Sequence, residues 1–244
     1  MKKRCTAIVL AAGSGKRMNS ATAKQFMMLQ DKPLIWYALH AVEVSEIIDD
    51  CVLVTGEADI PYVKEEIVEK YGFSKVNAVV AGGSERWESV ANAVQAIAEG
   101  VLKTPNTDGY LFIHDGARPF LNEEIIANTY ADVQEFHACV AAVPSKDTVK
   151  LSDDNGCAAS TPDRRRVWLI QTPQVFDTEL ITAAYAKLQA EARSVGKERI
   201  AVTDDASVVE LYTDRPVKLT ESSYRNIKIT TPEDIHIAEL FLGK

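Results

Sequence analysis

The chain has 244 residues, with 27 Lys and Arg against 35 Asp and Glu for a formal charge of −8; 46% of residues are apolar and 25% charged. Those proportions exclude disorder, a collagen-like repeat and a small disulfide scaffold, and a chain of this length buries roughly 70–75% of its unfolded surface, so its core needs neither cross-links nor metal. The acidic balance argues against a general nucleic-acid binder, whose domain is normally basic; an anionic ligand has to be held by a few local cations.

Lys2-Lys3-Arg4 ahead of an apolar run imitates a signal peptide. The purely apolar stretch 7–12 is too short for one, and Gly13-Ser14-Gly15-Lys16-Arg17 follows at once. No run approaches the roughly 18 apolar residues of a membrane span. Cys5, Cys51, Cys139 and Cys157 are widely spaced and form no C-x-x-C pair, the pattern of buried, reduced thiols. A cytoplasmic protein without a membrane partner is expected.

Strand and helix alternate from the start. Residues 6–11 form a continuous apolar run, the mark of a strand buried on both faces, and 51–55, 78–81, 110–114 and 138–143 repeat it. Helical spacing occupies 34–44 and 60–71, and a third helix follows Ser84 with Val90, Val94 and Ile97 on one face. A fourth opens at Asn122 as N-cap, with Leu121 placed to pack on Ile126 as a hydrophobic staple. This alternation predicts right-handed βαβ units, a parallel sheet and a doubly wound α/β layer over the first 143 residues.

The rhythm breaks at 144–163. Thr148 to Leu151 reads as a strand, Asp153-Asp154-Asn155-Gly156 as a turn, and a second short strand follows, which predicts a hairpin closed by a two-residue Asn-Gly turn. A lone hairpin is marginal in water, so this one has to rest on its own domain or on another subunit. Beyond it come a strand near 167–171, a helix over 177–194, short elements at 204–210 and 217–220, a strand at 226–229, and a final helix with Thr231 as N-cap, Pro232 first and Asp234 as the capping acid.

Ligands in open α/β sheets bind beyond the carboxyl ends of the strands. The small-residue loop Ala11-Ala12-Gly13-Ser14-Gly15 stands there, where backbone N–H groups can approach a phosphate. It is not a P-loop, which needs Gly at 10 and Ser or Thr at 17 where Leu10 and Arg17 stand. Nor is it a dinucleotide fingerprint, which needs Gly at 18 where Met18 stands. Arg17 and Lys24 supply cations nearby. Asp115, after the fourth strand, suits a Mg²⁺ that also takes phosphate oxygens, or else closes an Asx turn before Gly116. Arg118 either contacts phosphate or orients Asp115. Gly82-Gly83-Ser84 opens the third helix as a base or sugar contact or as a plain turn. Lys228 breaks the pattern of an interior strand and calls for an anionic partner. Arg164-Arg165-Arg166 reads as a solvated run, and His40, His114, His137 and His236 show no zinc-ligand spacing.

Taken in order, these pieces resemble the cytidylyltransferase family of the non-mevalonate isoprenoid pathway, which joins CTP to 2-C-methyl-D-erythritol 4-phosphate with release of pyrophosphate. The resemblance runs over nearly the whole chain. It is carried by Ala11-Ala12-Gly13-x-Gly15-x-Arg17-Met18, Lys24-Gln25, Gly82-Gly83 with Arg86 and Ser89, and His114-Asp115-Gly116-Ala117-Arg118-Pro119. Pro144-x-x-Asp147-Thr148, Thr172-Pro173-Gln174, Thr203-Asp204-Asp205-Ala206-Ser207 and Asn226-Ile227-Lys228-x-Thr230 complete it. It implies one α/β, Rossmann-like doubly wound domain over 1–244, with a mostly parallel sheet and a protruding β-hairpin arm at 144–163 exchanged in a homodimer. It implies that Ala11, Ala12, Gly13, Ser14 and Gly15 wrap the triphosphate, with Gly82, Gly83, Ser84 and Ser89 at the nucleoside. Ser84 departs from the family, some members of which carry Asp there. Arg17, Lys24, Arg164 and Lys228 are the implied catalytic cations, and Asp115 the Mg²⁺ ligand. Arg118, Asp147, Thr148, Arg164, Thr172 and Lys228 are implied to hold the polyol phosphate, with Asp147, Thr148 and Arg164 serving the partner's pocket. The sister enzyme acting on ribitol 5-phosphate is the alternative. Its members more often read Ala-Gly-Gly in the first loop and Val at the position of Ala117, so Ala12 and Ala117 favour methylerythritol. A nicotinamide oxidoreductase is disfavoured by Met18 and by the lack of a ribose-binding acid, and a silent binding protein by the retained Arg17, Lys24, Asp115 and Lys228.

Overall fold

Cys5–Ala11 (β1) is buried almost throughout and lies between two parallel neighbours in a computed structural model that describes residues 2–13 and 23–243. A two-strand turn of Met28–Leu29 (β2) and Lys32–Pro33 (β3) leads into Leu34–Val44 (α1), and Asp50–Thr55 (β4) then pairs with β1. The next helix begins as Ile60–Tyr62 (α2) and widens into π-helical winding over Val63–Glu69, so the predicted 60–71 helix is only partly α. Val76–Ala81 (β5) pairs with β4. It was expected to be buried on both faces, but it is the edge strand and all six residues are half-buried. Arg86–Ala98 (α3) returns the chain to Tyr110–Asp115 (β6), on the other side of β1.

Asn122 caps Glu123–Phe136 (α4) by accepting from Ile125 N, as its sequence position predicts, and Ala138–Pro144 (β7) follows. The expected strand near 167–171 is longer, Trp168–Asp177 (β10), and inserts antiparallel between β6 and β7. Thr178–Val195 (α5), Asp205–Tyr212 (α6) and Lys218–Glu221 (β11) follow, and Pro232–Phe241 (α7) closes the chain. Among the described residues the main sheet has seven strands in the order β11-β7-β10-β6-β1-β4-β5, and only β10 runs against the rest.

Alternate residues of β1 serve opposite layers, as the period of a strand requires. Ala7 and Val9 pack with Ile35 and Leu39 of α1 and with Ile126 of α4, while Ile8 packs with Val90 and Val94 of α3 and Ile181 of α5. The sheet is thus covered on both faces, which is the doubly wound arrangement. Burial pushes the thiols of Cys5 and Cys139 up to about 12; Cys157 departs from the expectation of burial and is exposed. No described helix is long and apolar enough to cross a membrane.

The hairpin forms from Leu151–Ser152 (β8) and Ala158–Ser160 (β9), apart from the main sheet, and every residue of 150–161 is exposed. Its turn is not the predicted two-residue one. Asp153 N donates to Cys157 O, leaving a three-residue loop with Gly156 at φ 78°, and the Asp153 carboxylate accepts from Asn155 N and Cys157 N.

Residues 226–230 form no strand. Their backbone is held by individual partners: Ile229 N donates to Ala117 O, Arg118 Nη1 donates to Asn226 O at 2.7 Å, and Lys24 Nζ donates to Ile229 O at 3.0 Å. The Asn226 amide is fully buried and donates to Gln171 Oε1 and Thr172 O, where a bulge interrupts the pairing of β10 with β7. Removing it strands those buried acceptors. Asn226→Ala should therefore lower the unfolding free energy by about 1–3 kcal/mol, read from urea denaturation; an unchanged midpoint would refute the anchoring role.

Candidate active site

The chain order reverses between β1 and β6, and a cavity of about 630 Å³ opens at their carboxyl ends. The loop after β1 forms one wall, through Ala11, Ala12 and Gly13, and the loop after β5 forms the other, through Gly83 and Ser84. The walls meet at Gly82, where a Cβ would stand 2.4 Å from that of Ala12 and 2.8 Å from Ser89 Oγ, so only glycine fits. The Ser89 hydroxyl sits beneath, accepting from Gly83 N and donating to Glu85 O. Ser84 donates to Glu88 and accepts from Lys197 Nζ at 2.9 Å. Gln25, buried, ties the first loop down by donating to Ala11 O.

Asp115 is the last residue of β6 and forms the floor. Its Oδ2 lies 2.7 Å from Lys228 Nζ, and its Oδ1 3.3 Å from Arg86 Nε. Burial pushes its pKa upward, but Arg86, Lys228 and Arg118 outweigh burial and hold the carboxyl far below the usual range. Lys228 thus has the anionic partner its sequence position called for, although the segment carrying it is not a strand. Lys24 also lines the cavity. Two ammonium groups from segments 204 residues apart and one ionised carboxylate therefore face one space beside backbone-rich walls. That is a site for a polyanion. Ser14, Gly15 and Arg17 lie outside the described residues.

Several expected residues do not line it. Arg118 is buried, and its Nη1 donates to Asn226 O in the segment bearing Lys228. Thr172 is buried too; its hydroxyl accepts from Asp115 N at 3.0 Å and meets His114 Nδ1 at 3.1 Å. Asp147, Thr148 and Arg164 are exposed at the root of the arm, with Arg164 Nη1 on Lys146 O. Arg86 lines the cavity, yet sequence reasoning gave it no role; the signal was its place in the first turn of a helix that opens after Gly82-Gly83.

The sequence matches the family model described as IspD, 2-C-methyl-D-erythritol 4-phosphate cytidylyltransferase, over residues 5–244. The chain belongs to this family. A relative of that name from Lachnospira eligens is 48% identical over 97% of this chain and 98% of its own, and one from Lachnoclostridium phytofermentans is 46% identical over 98% and 97%. A solved structure of 4-diphosphocytidyl-2C-methyl-D-erythritol synthase from Anaerococcus prevotii superposes with a TM-score of 0.81 at 33% identity, covering 99% of this chain and 97% of that one. The α/β, Rossmann-like fold expected from the resemblance is the fold observed.

In this member of the cytidylyltransferase family, the floor is held by a neutral histidine. His114 is wholly buried in β6, Nε2 donates to Arg118 O, and Nδ1 accepts from Thr172. Burial pushes its pKa from 6.5 down to about 4, because the charged ring would lose its water there. The unfolded chain therefore takes up this proton first as pH falls. Stability should decline from about pH 6.5 to about pH 4 through this residue, and His114→Gln should flatten that part of the urea-midpoint profile; identical profiles would remove the assignment.

Proposed function

We propose that this chain transfers the cytidylyl group of CTP to 2-C-methyl-D-erythritol 4-phosphate. The observation that carries the reading is the convergence of Lys24, Lys228 and Asp115 on one cavity between two small-residue loops, in a chain of this family. A phosphate oxygen of the acceptor attacks the α-phosphorus of CTP. The new P–O bond forms as the bond to the bridging oxygen of the β-phosphate breaks, and that electron pair leaves with pyrophosphate. The acceptor phosphate is already anionic near neutral pH, so the protein needs no strong base and no covalent intermediate. It supplies alignment and positive charge.

Backbone groups of Ala11 to Gly13 would receive the triphosphate, and the Gly82-Gly83 loop with Ser89 the nucleoside. Lys24 faces the charge that develops on the phosphoryl oxygens, together with Arg17 by family resemblance. Lys228 orients the acceptor phosphate. Asp115 fits a divalent cation such as Mg²⁺: it is ionised and it faces the cavity. A cation held there by one carboxylate completes its shell with ligand oxygens, the habit of Mg²⁺. When bound, it would neutralise triphosphate charge. CTP as the donor implies work in the cytoplasm.

Pyrophosphate release with CTP and either methylerythritol 4-phosphate or ribitol 5-phosphate tests the reading. Turnover is expected with the first; turnover with only the second, or with neither, would overturn it. Lys24→Ala should lower kcat about 100- to 1,000-fold while changing CTP affinity far less; an unchanged kcat would remove the assignment.

The arm supports a homodimer. Leu151, Leu169 and Ile170 are 55%, 51% and 41% exposed along it and the strand it leads into, and Asp147, Thr148 and Arg164 stand at its root, away from their own cavity. These three residues would complete the acceptor pocket of the second subunit. Replacing 148–162 by a short Gly-Ser linker should yield an inactive monomer by sedimentation and turnover; an active monomer would refute the exchange.

A further inference from the structure

Asp205 is a fully buried carboxylate at the first position of α6. A buried charge is tolerable only when paired and hydrogen-bonded. Arg86 meets it with both ends of its fork, Nη1 at 2.9 Å from Oδ1 and Nη2 at 2.7 Å from Oδ2. The Tyr185 hydroxyl, buried in α5, donates to Oδ1 at 2.6 Å. Arg86 turns only its Nε edge to Asp115, at the longer distance of 3.3 Å. The guanidinium thus serves two carboxylates unequally, and the one outside the reaction holds it more tightly.

The placement of Arg86 runs against local preference. It is the first residue of α3, and a helix N-terminus disfavours a cation. Local conflicts of this kind concentrate at functional sites. Asp205 is buried and does not line the cavity, whereas Arg86 does, so its effect passes through Arg86. A guanidinium prefers a bidentate carboxylate partner. Deprived of Asp205, the fork of Arg86 keeps the carboxylate it already touches, Asp115, and a bidentate grip there would take both oxygens, including the one that pairs with Lys228.

We propose that Asp205, braced by Tyr185, is a positioning residue for the transfer: it holds the Arg86 fork away from Asp115, so that the Asp115 carboxylate stays open to a divalent cation and to Lys228. The inference rests on the reading of Asp115 as the cation ligand. It makes the Arg86–Asp205 pair a guard on that ligand.

The test is Mn²⁺ binding in the presence of CTP, followed by water proton relaxation, which reports protein-bound ion without turnover. Asp205→Asn should raise the Mn²⁺ dissociation constant about ten- to hundred-fold, the range for partners that orient metal ligands. The double variant Arg86→Gln/Asp205→Asn should bind Mn²⁺ more tightly than Asp205→Asn alone, because the intruding guanidinium is gone. A structural role alone would lower the melting temperature and leave the constant of the folded fraction unmoved in both variants. Either an unmoved constant or a weaker double variant, beside a wild type that binds, overturns the inference and spares the Asp115 reading. A wild type with no CTP-dependent Mn²⁺ site overturns both. If Asp205→Asn does not fold, Tyr185→Phe carries the test: the constant should rise in the same direction by less, and unchanged binding would count against the proposal.

Discussion

A carboxylate at the end of an interior strand has to be neutralised, and in this chain the neutralisation of Asp115 organises the site. Three cations contribute, each delivered by a different segment. Arg86 comes from the start of α3, Lys228 from the irregular stretch before α7, and Arg118 from the turn after β6. Each of the first two is fixed by contacts of its own: Arg86 by Asp205, and Lys228 by a backbone whose neighbours bond to Ala117, Arg118 and Lys24. Taking a charge out of water costs far more than any single hydrogen bond returns, so these segments are tied to one another through the carboxylate they share. Among the described residues, the charges facing the cavity are therefore fixed by contacts within the chain.

Much of this was legible in the sequence because it rests on short-range pattern. Continuous apolar runs mark the interior strands β1, β4, β6 and β7, since a parallel sheet covered on both faces has no polar side, though not the edge strand β5, and the caps at Asn122 and Asp234 are local chemistry. The site lay where the strand ends and small residues coincide. What escaped was long-range or side-chain-mediated. Residues 226–229 alternate like a strand, yet side chains of Arg118 and Lys24 take the carbonyls that a ladder would use. Arg86 and Asp205 stand 119 residues apart, and only the stacking of α3, α5 and α6 on one face of the sheet brings them together. Arg118 and Thr172, expected as ligand contacts, are buried and bond to Asn226 O and Asp115 N, links that no local pattern announces.

The arm shows a contrast between root and tip. At the root, Ser145 N donates to Val167 O, the Tyr224 hydroxyl donates to Pro144 O, and the Lys146 ammonium sits 3.5 Å from the centre of the Tyr224 ring. At the tip, β8 and β9 bury nothing. A two-stranded ribbon without a core is marginal in water, so its direction is set by the firmly seated root.

The walls of the cavity recruit backbone more than side chains. Gly82 is where the two loops touch, and a single methyl there would collide with Ala12, so the spacing of the loops is a property of the chain path. Ser89 and Gln25 act on that path by bonding to Gly83 N and to Ala11 O. Walls built from backbone place few demands on the identity of surrounding side chains. The demand falls instead on the few side chains whose charge enters the cavity and on the buried partners that keep those charges pointed, so substitutions at such partners should matter to the chemistry while leaving the fold recognisable.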